Sequence, residues 1–129
     1  MNTEGHPPEA PDWKHRADYI RTRSTRKESA GETNIEPEWA DEAFADPAAV
    51  IFSPDPAAKK GLSDRTIGWS ETAGILVTVI TVREGDKLWG ANAWKSNDAD
   101  QRHYERAASL AEPTPVRREQ DEQEEEPDE

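Results

Sequence analysis

The side chains able to do chemistry in this chain are mainly cationic and aromatic. Arg21, Arg23, Arg26 and Lys27 crowd one short stretch. Cations there either offset the negative end of a helix dipole or form an edge that contacts phosphate. Five tryptophans, Trp13, Trp39, Trp69, Trp89 and Trp94, stand among 129 residues. An indole fills a core or a protein interface, or stacks on a nucleobase. The three histidines are His6, His15 and His103, and no two share metal-ligand spacing. GxxxxGK[ST] and GxGxxG phosphate loops are absent, as is a nucleophile elbow. Acidic pairs such as Asp41-Glu42 read as solvated helix faces. With no cysteine, disulfides and thiolate metal sites are excluded.

The net charge is −12. Residues 112–129 hold nine acidic and two basic side chains, a net of −7, which leaves −5 on residues 1–111. A nucleic-acid binder usually carries a basic excess, so any RNA site here must be a local patch on an acidic body. The chain is long enough for one domain. Residues 1–12 and 112–129 have little to bury, and the expectation is a disordered arm, a domain over 13–111 and a disordered acidic tail. That tail is a solubilising end or a segment that competes with RNA for a basic surface. No run approaches the ~18 apolar residues of a membrane span, and no secretory signal is visible, so the expected location is cytoplasmic.

Seven elements must position these side chains. Trp13, Ala17 and Ile20 recur at helical spacing and predict a helix over 13–28. Pro37 suits the first turn of a second helix with Trp39, Ala43 and Phe44 on its buried face, closed by Asp46-Pro47. Short strands follow at 49–53 and 65–70, separated by a loop with Lys59, Lys60 and Gly61. The run ILVTVITV at 75–82 reads as a central strand covered on both faces. Glu84-Gly85-Asp86 turns it into a strand over 87–94, with Leu88, Gly90, Asn92 and Trp94 on one face. Asn97 caps a last helix to about Leu110, with Asp98 and Asp100 in its first turn. The order ααββββα predicts a two-layer α+β domain, its helices on one face of an antiparallel four-stranded sheet.

The ordered motifs from Asp46 to Glu105 carry a resemblance. They are Asp46-Pro47, Pro54-Asp55-Pro56, Asp64-Arg65-Thr66-Ile67-Gly68, the strand ILVTVITV running into Arg83-Glu84-Gly85-Asp86, Asn92-Ala93-Trp94-Lys95, and Asp100-Gln101-Arg102-His103-Tyr104-Glu105. Together they resemble the BrnT toxins of bacterial type II toxin–antitoxin pairs, over about half the chain. The resemblance implies a RelE-like fold and a metal-independent RNA endonuclease without cofactor. It also implies a cognate antitoxin, usually a ribbon-helix-helix protein, and allows a homodimer or hetero-oligomer. In such chemistry the RNA 2′-hydroxyl is the nucleophile, and the protein supplies a base, an acid and cations for the charged transition state.

Carried over position by position, the resemblance marks Arg65, Arg83, Lys95, Arg102 and His103 as catalytic candidates. Arg21, Arg23, Arg26, Lys59, Lys60, Trp94 and Tyr104 are the RNA-binding candidates. Arg65 and Arg83 could instead pair with Asp64 or Glu84 on the sheet rim. The chain departs from the family in two places: Trp94 stands where the family has arginine, and Glu32-Thr33-Asn34 replaces Lys-His-Gly. These departures support a second reading, a catalytically degenerate BrnT-like protein that serves as a protein-binding module.

Overall fold

The computed structural model describes residues 9–111. The acidic tail expected at 112–129 and most of the arm expected at 1–12 lie outside them. The elements are α1 (Ala17–Arg21), α2 (Pro37–Phe44), β1 (Val50–Phe52), β2 (Ser63–Ser70), β3 (Ile75–Glu84), β4 (Lys87–Lys95) and α3 (Asp98–Ala111). The fold is α+β, and the strands pair antiparallel in the order β1-β2-β3-β4.

The first helix is much shorter than the periodicity of 13–28 predicts. Beyond Arg21 the chain breaks into two single turns, Arg23–Thr25 and Lys27–Ser29. Hydroxyl side chains compete with the backbone ladder here. Thr22 Oγ1 donates to Asp18 O at 2.6 Å and Thr25 Oγ1 to Thr22 O at 2.7 Å. Just ahead of residue 13, Asp12 is paired with the sheet: its N–H donates to Leu88 O and its carbonyl accepts from Gly90 N–H, each at 2.9 Å. This short parallel pairing covers part of the free edge of β4.

The main core lies between α1, α2 and one face of the sheet. Ile20, Ile35, Ala40, Ala43, Val77, Val79 and Ala93 are fully buried there, with Trp13 beside them. Gly68 is required on this face, because a Cβ would sit 1.9 Å from Ala43 O. Val77 and Val79 face α2, so Thr78 faces the other way. Thr78 Oγ1 donates to Asp100 of α3 at 2.8 Å. The expected single helical layer is therefore wrong: α1 and α2 cover one face, and α3 packs on the opposite one.

The expected facing of β4 is corrected too. Ile80 pairs with Asn92 but Thr81 pairs with Gly90, leaving Ala91 as an extra residue in β4. Such a bulge reverses the alternation. Gly90 turns to the α1 face, where a Cβ would meet the Trp13 ring at 2.5 Å, while Asn92 and Trp94 keep the α3 face.

Candidate functional site

The candidate site forms where β4 runs into α3. Asn97 caps α3 as its sequence suggested, accepting from Asp100 N–H at 2.9 Å. This places Asp100 in the first turn, against the sheet and 3% exposed. Its carboxylate takes Thr78 Oγ1, which also meets Ser96 Oγ at 2.8 Å.

Arg65 on β2 fills the space above them. Its Nη1 reaches both oxygens of Asp100, at 3.0 and 3.1 Å. Its Nε and Nη2 hold Asp55 side-on, at 3.1 and 3.3 Å. Asp55 is itself fixed by its backbone, since its N–H donates to Ser63 O at 2.8 Å. The Arg65 side chain is 16% exposed and both partners less. Its partners are thus not the neighbouring Asp64 but two carboxylates distant in sequence.

Arg23 is the second buried cation. It donates to Glu32 Oε1 at 2.7 and 3.1 Å and to Asn92 Oδ1 at 2.9 Å. The Arg23 and Arg65 guanidiniums lie over the Trp94 ring, 5.7 and 5.5 Å from its centroid, within cation–π range. Trp94 therefore joins two ion-pair clusters. Beside it opens a cleft of about 490 Å³ lined by Arg23, Glu32, Asn92, Trp94, Lys95 and Ser96, among others. Two arginines here meet three carboxylates, so Lys95 brings the local formal charge only to zero.

The remaining candidates divide by face and partner. Lys95, Arg102 and His103 are exposed on the β4–α3 side. The His103 ring stands edge-on to Phe52 at 5.0 Å and borders a cleft of about 220 Å³ with Asp55, Arg65 and Asp100. Arg83 is not part of this group. Arg65 pairs with Ile80, three residues before Arg83, so alternation puts the two arginines on opposite faces. Arg83 pairs with Glu9 at 2.6 Å rather than with Glu84.

Arg21 pairs with Glu36 at 3.0 Å, and that hydrogen bond holds its pKa above the ordinary arginine value. Arg26 folds onto the Tyr19 ring at 3.9 Å and donates to Tyr19 O at 2.7 Å. Lys59 and Lys60 are exposed on the β1–β2 loop. Tyr104 O–H donates to Asp46 at 2.6 Å. Burial, and then that carboxylate, push its pKa up to about 12.

Asp55, Asp100, Glu32 and Asn92 belong to the site although their sequence context does not mark them as site residues. Asp100 reads in sequence as a favourable charge at a helix start and Asp55 as part of a proline-flanked stop. Among the described residues, no three His, Asp or Glu side chains converge to hold a metal ion, and no helix is long and apolar enough to cross a membrane. Comparison with protein-family models, curated proteins and solved structures returns no match.

Proposed function

We propose that this chain is the toxin-like member of a type II toxin–antitoxin pair, a cytoplasmic protein with a RelE-like fold and an RNA-directed surface at the β4–α3 junction. The BrnT-like motif order from Asp46 to Glu105 supports the family, together with the element order ααββββα. One observation carries the site. Lys95, Arg102 and His103 are exposed and, among the described residues, make no ion pair, which leaves them free to meet a phosphodiester. A histidine can take or give a proton near neutral pH, and the two cations suit the charge that builds on the phosphate oxygens.

The test is induction in a bacterial host, with and without a ribbon-helix-helix partner. Growth arrest with RNA cleavage is expected from the wild type. Lys95→Ala, Arg102→Ala and His103→Ala should relieve it without loss of thermal stability. A wild type that neither arrests growth nor cleaves RNA overturns the proposal.

A second reading is favoured by one specific observation: Arg65 is fully engaged by Asp55 and Asp100. With its fork occupied, the same BrnT-like scaffold binds a protein partner and cleaves nothing. RNA cleavage by the purified protein removes this reading.

A further inference from the structure

The attachment of α3 differs in kind from that of α2. The main core contains Ala40 and Ala43 of α2 and no residue of α3. Along α3 the one buried residue between Asp98 and Leu110 is an aspartate, and Leu110 is 79% exposed. On the sheet face beneath α3 the apolar contribution centres on Ile67, and the helix adds mainly polar interactions. Asp100 meets Arg65 and Thr78, Tyr104 O–H meets Asp46, and Gln101 Nε2 donates to Ser96 O at 2.8 Å.

We infer that α3 is a latch, a helix that lifts from the sheet as a unit while β1–β4, α1 and α2 stay folded. Segments with little buried apolar surface open at lower free energy than the core. Water largely satisfies the polar groups that separate on opening. No buried charge is stranded, because Arg65 keeps Asp55 when Asp100 withdraws. Opening uncovers Thr78 and its cross-strand neighbour Ile67 and frees Arg65 Nη1. On the RNA-directed reading, on which this last consequence rests, α3 is an autoinhibitory contact: a phosphate reaches Arg65 only when the helix is open.

Native-state hydrogen exchange of the full chain tests the latch, reading the amides of Arg102–Tyr104 against those of Val77–Val79. The α3 amides are expected to exchange at least about tenfold faster than those of β3. The double variant Asp100→Asn, Tyr104→Phe should speed α3 by about another tenfold and leave β3 unchanged. Equal rates in α3 and β3 of the wild type overturn the latch, as does a variant in which both rise together. A mixed-sequence oligoribonucleotide separates the two ideas. Faster α3 exchange on its addition supports autoinhibition. Unchanged exchange in a chain whose α3 already opens alone sinks the autoinhibition and leaves the latch standing, while absence of RNA cleavage is what sinks the RNA reading.

Discussion

Arg65 of β2 and Asp100 of α3 are 35 residues apart in sequence, yet one guanidinium nitrogen reaches both carboxylate oxygens, at 3.0 and 3.1 Å. Asp55 occupies the other two nitrogens, so one cation joins a loop, a strand and a helix. Removing it leaves two buried carboxylates without their partner. Arg65→Ala is expected to cost about 3–5 kcal/mol, measured by urea unfolding. An unchanged midpoint means that Arg65 is not the brace described.

Gly68 and Gly90 are the positions where a single methyl does most harm. At Gly68 it meets the Ala43 carbonyl oxygen at 1.9 Å, and at Gly90 the Trp13 ring at 2.5 Å. Backbone cannot yield as a ring can, so Gly68→Ala should be the worse of the two. A loss of about 1–3 kcal/mol or more is expected there, read as a lower denaturation midpoint with an unchanged slope. Equal stability of the two variants contradicts the ranking.

Tyr104 should ionise well above the ordinary tyrosine value. Its folded pKa, about 12, exceeds the ordinary tyrosine value of 10.0. The contribution to stability is complete below the unfolded value and is lost as pH rises through the folded one. Tyrosinate absorbance in a Tyr19→Phe background should therefore show a midpoint near 12. Asp46→Asn should lower that midpoint only in part, because burial remains. A midpoint at the ordinary value in that background contradicts the partly buried hydrogen bond to Asp46.

Asp41 accepts from Trp13 Nε1–H at 3.0 Å, yet burial pushes its pKa up, with Glu38 adding to the shift and the indole opposing it. An acid whose folded pKa is raised holds its proton longer in the folded state. Stability therefore rises as pH falls through the window above the ordinary carboxylate value. Asp41→Asn keeps an acceptor for the indole and removes the buried charge. The variant should be more stable than wild type at neutral pH, with the gain vanishing in acid. A loss at neutral pH means that the charge itself is needed.

Much of the scaffold is readable in local pattern. Pro37 and Asp46-Pro47 bracket α2, Asn97 caps α3, and the turn around Gly85 sets the β3–β4 hairpin, because proline geometry, side-chain caps and left-handed glycine act within a few residues. Gly85 has φ 61°, as that turn requires. The collapse of 13–28 into α1 and two single turns was harder to read. The apolar spacing of Trp13, Ala17 and Ile20 concealed hydroxyls that bind the backbone instead.

By itself the sequence determined the order of elements, the meander and the supply of cations and indoles, because these depend on side-chain type and short-range spacing. The tertiary structure decided how those groups are used. The bulge at Ala91 sent Gly90 and Asn92 to opposite faces, strand alternation parted Arg83 from Arg65, and α3 took the far side of the sheet. Asp55 and Asp100 were then brought from loop and helix to one guanidinium. Residues 10 and 35 positions away become partners only after the chain folds.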